Sequence, residues 1–356
     1  MKYLIGLLLL VLCSCSREIH FPDPVDKDTT VCKDPIKKIA FANIFSQDTN
    51  KYRYLGYGYD CTISNFDGVA VPKARVLDVD RFLRGEGYDV KTKTVRKMEP
   101  GNIEESILHS GKYQRFYGYD FGAYQQTLLS YYKISHTLDN RNLTLFYKEF
   151  YDAFNDETIF SNGSSFYKIN KTLFTRRLTM SNVYPEKLKF FLSEEFLQDL
   201  YRLRSDEIIQ KYGTHVLTDI LLGGTCSFLF NAVVTETNQD LFKRQAFDFT
   251  DMVYTNKSPG QDTIFFQGFK DVNICIRTIG GTIPVTQIEM ENDSKVFNNY
   301  SFHYAEWLKT IDVTNEQLVN IGNPTTRIFL ISEFIEDPVK RKEVKEAILA
   351  YRHFAN

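Results

Sequence analysis

With 356 residues, the chain is long enough to form one large domain or two domains of ordinary size. Its formal net charge of −2 excludes a general affinity for polyanions, so no nucleic-acid partner is expected. Aromatic residues make up 15% of the chain, with 29 Phe and 22 Tyr, which indicates broad strand surfaces and a sizeable core.

The N-terminal residues have the pattern of an export signal. Lys2 precedes an apolar stretch at residues 3–12 that is too short to span a bilayer as a helix. The sequence LCSC at residues 12–15 resembles a bacterial lipobox, with Cys15 as the lipidated first residue of the mature protein. The alternative is a plain secretory signal with two incidental cysteines. Residues 16–35 are polar and contain three prolines, which predicts a flexible tether before a domain at residues 36–356.

The first half of the domain alternates strand and helix patterns. Tyrosine and glycine alternate at residues 54–59, as in a strand that other backbone approaches closely, and no phosphate-binding Lys follows them. Apolar residues recur at helical spacing over 143–154, which predicts an amphipathic helix. Residues 165–180 predict a long strand, and residues 194–203 predict a helix capped by Ser193.

A second helix and a long strand follow. Ser205 is expected to cap the helix, and Gly213 lies where a helix ends in a left-handed residue. The strand is predicted to run from Val216 to about residue 234, far longer than the roughly 5–6 residues typical of strands. Gly223 and Gly224 interrupt it, and a glycine pair inside a strand indicates a bend or a close backbone approach.

This segment resembles the signature of the membrane attack complex/perforin (MACPF) family. The tetrapeptide Tyr212-Gly213-Thr214-His215 is followed, after seven residues, by Gly223-Gly224. Val216 departs from the family pattern, which usually has an aromatic residue after the histidine. The segment at residues 54–62 is also similar to the early GxG(Y/F)D segment of the family. The resemblance implies that His215 is a structural, partly buried hydrogen-bonding residue.

The remaining segments are similar to the family pattern in the same order. Residues 235–270 correspond to a second helical cluster, with one helical stripe formed by Phe242, Ala246, Phe249 and Val253. Residues 272–279 form a strand that reaches a second glycine pair, Gly280-Gly281, and Trp307 lies in a segment that follows the last long strand. A closing helix is expected to be capped by Asp337, with Pro338 in its first turn.

The resemblance implies an α+β fold, in which a bent four-stranded antiparallel sheet is flanked by two helical clusters, at about residues 120–165 and 235–270. Together with the lipobox, the resemblance implies a secreted, lipid-anchored outer-membrane protein of the Bacteroides-like kind that acts as an antibacterial or membrane-attacking toxin. Its expected partners are a target-cell membrane or surface receptor and other copies of itself in a ring. In pore-forming members each cluster unfurls into a membrane-spanning β-hairpin, and each crossing needs about 9–11 residues. No cofactor is expected.

The cysteines leave several pairings open. With Cys13 and Cys15 in the leader, four remain, and four cysteines allow three connectivities. A Cys226–Cys275 disulfide is favoured because the two lie on strands expected to be neighbours. The alternative is four reduced, buried thiols.

One observation opposes pore formation. A membrane hairpin alternates apolar and polar residues, but Phe249 and Val253 share strand parity with Lys243 and Asp251. The alternative function is therefore a non-lytic surface adhesin or colonisation lipoprotein. An enzyme is not expected, because the six histidines show no metal-ligand spacing, the chain lacks a GxSxG motif, and the adjacent Glu194 and Glu195 cannot face each other on a helix.

Overall fold

The computed structural model describes residues 36–44, 52, 54–60, 73–132, 146–161, 163–255, 265–266, 268–282, 288–289, 299–300, 303–322 and 328–350. All of them lie in one compact unit, Asp34–Asn356. The strands are β1 (Ile36–Ile44), β2 (Gly58–Tyr59), β3 (Glu86–Asp89), β4 (Thr94–Lys97), β5 (Ile103–Gly118), β6 (Ser164–Met180), β7 (His215–Leu217), β8 (Asp219–Val233), β9 (Lys270–Ile279), β10 (Ile288–Glu289), β11 (Asn299–Tyr300), β12 (Gln317–Ile321) and β13 (Ile328–Leu330). The α-helices are α1 (Val79–Arg84), α2 (Phe121–Tyr132), α3 (Tyr147–Phe154), α4 (Pro185–Leu188), α5 (Glu194–Arg202), α6 (Ser205–Tyr212), α7 (Gln239–Thr255), α8 (Tyr304–Lys309) and α9 (Pro338–Ala350).

The central sheet has the strand order β1-β9-β8-β6-β5, and β12 also pairs with β8. The four strands from β9 to β5 are antiparallel to their neighbours, whereas β1 lies parallel to β9 at the edge. β5, β6 and β8 are 16, 17 and 15 residues long, well beyond the ~5–6 residues typical of strands. The predicted four-stranded antiparallel sheet with flanking helices is confirmed.

Cross-strand rows define two chemically different faces of this sheet. One row aligns Gln114, Asn170, Ser227 and Arg277, and the next aligns Arg115, Ile169, Phe228 and Ile276. Because side chains alternate along a strand, adjacent rows lie on opposite faces. We name the faces by their rows. The polar face carries Lys112, Gln114, Lys168, Asn170, Thr172, Thr225, Ser227, Asn273 and Arg277, interspersed with Phe116, Phe166, Leu229 and Cys275. The aromatic face carries Tyr117, Tyr167, Ile169, Phe228, Phe230, Ile274 and Ile276, with Arg115 and Lys171 among them.

Each face is covered by its own helices. α2 and α3 contribute Tyr124, Leu128, Phe150 and Phe154 to the apolar cluster on the side of the polar face. α7 and α8 contribute to a separate cluster on the aromatic face, and the predicted stripe of Phe242, Ala246, Phe249 and Val253 is buried there. The sheet therefore separates two cores, one beneath each helical cluster.

Smaller elements complete the domain. β13, β7 and β2 form a three-stranded antiparallel sheet, and two antiparallel pairs join β3 to β4 and β10 to β11. α5, α6 and α9 pack on the same core as the polar-face helices, through residues such as Phe196, Ile209 and Val344.

The helix boundaries largely match the predictions. The hydroxyl of Ser193 accepts a hydrogen bond from the Phe196 backbone N–H at 3.2 Å, and Asp337 accepts from Lys340 at 2.9 Å. The predicted cap at Ser205 is wrong, because Ser205 is already the first helical residue. Glu207 accepts from the Arg204 backbone N–H at 2.8 Å instead, so a glutamate in the first turn satisfies the backbone before the helix.

Two strand predictions need correction. The segment at residues 54–60 forms strand only at Gly58–Tyr59, since Tyr54 and Gly56 have positive φ angles and the chain turns there. The single strand predicted from Val216 is two strands separated by Thr218. β7 pairs with β13, whereas β8 pairs with β6, because the chain changes sheets between them.

The predicted Cys226–Cys275 disulfide is also wrong. Both cysteines are buried, and they are not joined to each other. Cys226 aligns with Thr278 and Cys275 aligns with Leu229, so the two thiols are offset by three positions along adjacent strands. An odd offset places them on opposite faces of the sheet, where no disulfide can join them.

Candidate functional site

The signature residues form the junction between α6 and β7. The hydroxyl of Tyr212 donates to Asp199 Oδ2 at 2.7 Å, and the Lys211 ammonium contacts the same carboxylate at 2.6 Å. Burial, followed by the hydrogen bond to Asp199, raises the pKa of the Tyr212 hydroxyl well above its usual range. Together these contacts fix the end of α6 against α5.

The two residues after Gly213 are buried and bonded to the β2 segment. Thr214 donates to the Tyr59 carbonyl through its backbone N–H at 2.9 Å and through its hydroxyl at 3.2 Å. The Thr214 hydroxyl also lies 2.8 Å from His215 Nδ1. Burial lowers the pKa of His215 to about 4, so the imidazole is neutral at pH 7. Burial, neutrality and a hydrogen-bonding neighbour are the properties expected of a structural histidine.

Backbone packing requires small residues at this junction. A Cβ at Gly58 would lie 1.7 Å from the Tyr212 carbonyl oxygen, and a Cβ at Gly213 would lie 2.5 Å from the Tyr59 carbonyl carbon. The signature tetrapeptide and the early glycine segment are 155 residues apart in sequence, yet their backbones pack against each other.

The two glycine pairs meet where β8 changes its partner. β9 last pairs with β8 at Thr225, and β12 takes over at Gly223. A Cβ at Gly223 would lie 1.9 Å from the Leu173 carbonyl oxygen, and a Cβ at Gly280, whose φ is +73°, would lie 2.6 Å from the Gly223 carbonyl oxygen. We call Gly223, Gly224, Gly280 and Gly281 the glycine junction.

Helix α8 closes over the glycine junction. The Trp307 indole N–H donates to the Gly280 carbonyl at 3.0 Å, and a Cβ at Gly281 would lie 2.7 Å from that indole nitrogen. On the neighbouring strand, a Cβ at Gly224 would lie 2.3 Å from Ile311 Cδ1. The single tryptophan of the chain is thus fully buried against Gly280 and Gly281, while Ile311 packs on Gly224.

Sequence reasoning missed a buried ion pair beside this junction. Glu316 is fully buried and pairs with the Arg176 guanidinium, whose Nε lies 2.6 Å from Glu316 Oε1. Thr175, the extra residue of a bulge in β6 opposite Gly223, donates to the Leu222 carbonyl at 3.1 Å. No local sequence signal could have identified the pair, because 140 residues separate its members.

The polar face contains a second buried ion pair. The Lys168 ammonium contacts the Glu149 carboxylate of α3, and both side chains are almost completely buried. Arg277 Nη2 donates to the Glu149 backbone carbonyl at 3.4 Å. Within the described residues, the Asn170 amide and the Nε and Nη1 of Arg277 are buried without a hydrogen-bond partner. The helices that cover this face therefore keep polar groups away from water, which costs free energy of folding.

The aromatic face has the opposite character. Phe249 of α7 makes ring contacts with Phe228 and Phe230 of β8 at centroid distances of 6.3 and 6.0 Å. It also contacts Phe265 at 5.4 Å with the rings nearly perpendicular. Such edge-to-face packing adds to the burial of large apolar surfaces, so this cover is held by the hydrophobic effect.

Within the described ranges, no group of three or more His, Cys, Asp or Glu side chains is placed to hold a metal ion. No helix of the described chain is both long enough and apolar enough to cross a membrane. Cys15 and the rest of residues 1–35 lie outside the described residues, so the predicted lipidation site has no structural account.

Comparison with known proteins identifies the fold. No protein-family profile and no curated protein matches the sequence. The structure is similar to that of a candidate cell invasion protein with a MAC/perforin domain from Bacteroides thetaiotaomicron, with a TM-score of 0.59 and 17% identity over 87% of this chain and 64% of that one. It is also similar to GNIP1Aa from Chromobacterium piscinae, with a TM-score of 0.58 and 13% identity over 83% of this chain and 54% of that one. The chain thus spans about 64% and 54% of the two relatives' lengths and has the MACPF fold.

Proposed function

Because the chain has the MACPF fold, we propose that it is a membrane-attacking protein whose copies assemble in a ring and form a β-barrel pore. The observation that supports this function best is the division of the central sheet into a polar and an aromatic face. A barrel wall in a membrane must present polar side chains to its lumen and apolar side chains to lipid. The row of Gln114, Asn170, Ser227 and Arg277 meets the requirement for the lumen. In the adjacent row, Ile169, Phe228 and Ile276 meet the requirement for lipid, whereas Arg115 at the β5 edge does not.

The same alternation gives the pore a physical rationale. Lipid offers no hydrogen bonds to exposed backbone, so an open sheet cannot enter it, whereas a closed barrel satisfies every backbone group. In the described fold both faces are covered by helices. Removal of α2 and α3 would return Lys168, Asn170 and Arg277 to water, which relieves the cost of their burial. Removal of α7 would expose an aromatic surface that only lipid, or another apolar surface, could cover.

A second function is favoured by the sequence of α7. Its buried stripe is built for a helix, since Phe242, Ala246, Phe249 and Val253 all pack on the aromatic face. As a strand, this segment would place Lys243 and Asp251 on the same side as Phe249, which is unfavourable in lipid. A non-lytic surface adhesin that uses the fold without moving α7 is therefore the alternative function.

We also propose that Cys15 is lipidated and that the protein is an outer-membrane lipoprotein, exposed on the cell surface or released. The support is the short apolar leader that ends in LCSC. The variant Cys15→Ala should lose palmitate labelling and membrane fractionation. Normal labelling of that variant would contradict lipidation at this residue.

The proposed target is the membrane of a competing bacterium or another target cell. A secreted membrane-attacking protein needs a surface to bind before it assembles, so a membrane or a surface receptor is the expected partner. The similarity to a candidate cell invasion protein is consistent with action at a cell surface. Dye release from target cells, compared with release from liposomes of defined lipid composition, would separate a receptor from a lipid requirement.

A reversible cross-link tests whether α7 must leave the sheet. Tyr113 of β5 and Phe247 of α7 contact each other on the exposed rim of the aromatic face, with ring centroids 6.4 Å apart and exposed fractions of 42% and 37%. The double variant Tyr113→Cys/Phe247→Cys, joined by a cleavable bismaleimide, should bind membranes without releasing dye. Cleavage of the linker should restore dye release.

Matched controls identify what the cross-link does. The single variants Tyr113→Cys and Phe247→Cys, modified with the same reagent, should keep dye release, because neither modification joins α7 to the sheet. An adhesin would bind equally well in the linked and cleaved states and would release dye in neither. Dye release by the fully linked protein would contradict pore formation by insertion of α7.

A further inference from the structure

A cleft lies between the β3–β4 hairpin, residues 86–97, and helix α5. Its volume is about 660 Å³. β3 and β4 form a sheet of their own, so the cleft lies outside the sheet that would form the pore wall. We call this space the hairpin cleft. Its polar and aromatic lining residues are Arg81, Tyr88, Lys93, Glu194, Gln198 and Tyr201.

The hairpin carries a strong local positive charge. Residues 81–97 contain six cationic and two acidic side chains, a net charge of +4 in a chain whose formal net charge is −2. One of the two acidic side chains, Glu86, already pairs with Arg84 at 2.9 Å. Such a concentration of one charge attracts an anionic partner. The exposed cations of this segment that no carboxylate of the described chain pairs with are Lys91, Lys93, Arg96 and Lys97.

The hairpin is fixed at its turn and at its base. The second acidic side chain, Asp89, accepts hydrogen bonds from the Lys91 and Thr92 backbone N–H groups at 2.9 and 3.2 Å. At the base, the Met98 backbone N–H donates to the Gly85 carbonyl at 2.8 Å. The cations of the hairpin are therefore positioned before a ligand binds, which lowers the entropy cost of binding.

The walls of the hairpin cleft suit a sugar. Tyr88 lies on the hairpin wall and Tyr201, which is 77% exposed, lies on the α5 wall. The C–H face of a sugar ring can stack on a tyrosine ring, whereas its hydroxyl groups need hydrogen-bond partners. Glu194 and Gln198, joined by a 3.1 Å hydrogen bond, provide a carboxylate and an amide for those hydroxyls. A cleft with aromatic walls and a few polar groups is typical of small-ligand sites, and a flat bilayer surface cannot enter it.

Arg81 provides a donor for an anionic group. Its Nε donates to the Glu86 carbonyl at 3.0 Å, and its guanidinium carbon lies 5.8 Å from the centre of the Tyr88 ring. Its Nη2 is buried and has no hydrogen-bond partner within the described residues. A buried N–H without a partner costs free energy, which an acceptor oxygen bound in the cleft would recover. A guanidinium is also well matched to carboxylate and phosphate oxygens.

We propose that the hairpin cleft binds an anionic oligosaccharide of the target-cell surface. One sugar ring lies between Tyr88 and Tyr201, and its carboxylate or phosphate group lies at Arg81 and Lys93. The proposal rests on the proposed action at a target cell and adds the chemical class of the receptor and the surface that binds it.

Calorimetric titration of the full chain with defined saccharides tests the proposal. The charged probes are oligogalacturonate, which carries carboxylates, and a phosphorylated mannose oligosaccharide. Their neutral counterparts are methyl-esterified oligogalacturonate and the unphosphorylated mannose oligosaccharide. At least one charged probe should bind roughly tenfold more tightly than its neutral counterpart.

Variants locate the binding surface. Tyr201→Ala and Arg81→Gln should each weaken binding of that probe by roughly tenfold. Tyr201 is mostly exposed, so its truncation should leave the fold intact. Tyr184→Ala is the matched control, because Tyr184 is 54% exposed and lies outside the cleft lining. Its binding should be unchanged.

The outcomes separate a sugar from a lipid surface. Vesicles of phosphatidylcholine and phosphatidylglycerol should bind Tyr201→Ala as well as they bind the unmodified protein. If neither charged probe binds, if the neutral counterparts bind equally well, or if Tyr201→Ala lowers only vesicle binding, the proposal is overturned. If the charged saccharide binds through Tyr201 but the protein never releases dye, pore formation is contradicted and the ligand of the cleft is established.

Discussion

The two faces of the central sheet differ in what holds their helices. On the aromatic face, α7 is held by Phe249 and its ring contacts with Phe228, Phe230 and Phe265. On the polar face, α3 is held by its own aromatic residues but also lies over Lys168 and buried amide and guanidinium groups. A cover over polar groups can be replaced by water, whereas a cover over aromatic rings needs another apolar phase. In the proposed pore, this difference would place the polar face toward the lumen and the aromatic face toward lipid.

The largest effect is expected from truncation on the aromatic face. Phe249→Ala removes a fully buried ring and should lower the free energy of unfolding by about 3–5 kcal/mol. Phe247 lies two positions away and is 37% exposed, so Phe247→Ala should cost less than ~1 kcal/mol. Urea denaturation measures both changes. Equal values for the two variants would show that the aromatic contacts do not hold α7.

On the polar face, loss of one charge should cost more than loss of both. Lys168→Met leaves the Glu149 carboxylate buried without its ammonium partner and should destabilise the protein by about 3 kcal/mol. The double variant Lys168→Met/Glu149→Gln keeps an acceptor for the Tyr124 hydroxyl and should lie within ~1 kcal/mol of the unmodified protein. If the double variant is as unstable as the single one, the ion pair itself stabilises the polar face. The helices over the two faces would then both be held by favourable contacts.

The signature histidine, His215, lies on neither face of the central sheet. It should make the folding stability sensitive to acid, independently of both faces. Its pKa is about 4 in the fold, below the ~6.5 of an exposed histidine, so the unfolded chain binds more protons between these values. Stability contributed by neutral His215 is complete above pH 6.5 and should fall by about 2 kcal/mol as the pH drops to 5.

His215→Gln should remove this pH dependence, while Lys168→Met/Glu149→Gln should retain it. Thermal unfolding of both variants between pH 5 and 7 makes the comparison. If the melting temperature of His215→Gln still falls with decreasing pH, and that of the double variant does not, the acid sensitivity belongs to the polar face instead.

The smallest effect concerns a buried amide on the polar face. Asn170→Val removes polar atoms that have no partner within the described structure, so it should raise the unfolding free energy by up to ~1 kcal/mol. If the polar face lines a lumen, the same variant should slow dye release. If Asn170→Val is more stable and releases dye at the normal rate, a polar side chain at this position is not needed in the membrane-bound state.

Local periodicity predicted the elements well, because each element carries its own pattern. The helical stripe of Phe242, Ala246, Phe249 and Val253 was predicted from spacing alone and is confirmed as buried. The long strands β6 and β9 were likewise predicted close to their observed bounds.

Contacts between distant segments could not be predicted in this way. The Cys226–Cys275 pairing was wrong because it depends on a register offset of three positions, which strand patterns do not encode. The Lys168–Glu149 and Arg176–Glu316 pairs were missed, since a charged residue in a strand usually indicates a solvent-facing position. The parallel pairing of β1 also has no local signal.

Two native cysteines of the sheet can report directly on which face opens to water. Cys226 lies on the aromatic face and Cys275 on the polar face, and both are buried in the unassembled protein. Burial also raises the pKa of the Cys226 thiol far above its usual value, which keeps it unreactive. Proteins that lack residues 1–15 and carry Cys32→Ser and Cys61→Ser, with either Cys226→Ala or Cys275→Ala, would each have one reporter cysteine.

Labelling with a membrane-impermeant maleimide, before and after addition of target membranes, compares the faces. If the polar face opens to water, Cys275 should become reactive in step with dye release, while Cys226 should stay unreactive because lipid or protein covers it. If dye release proceeds with Cys275 still protected, or if Cys226 reacts and Cys275 does not, the assignment of the two faces is contradicted.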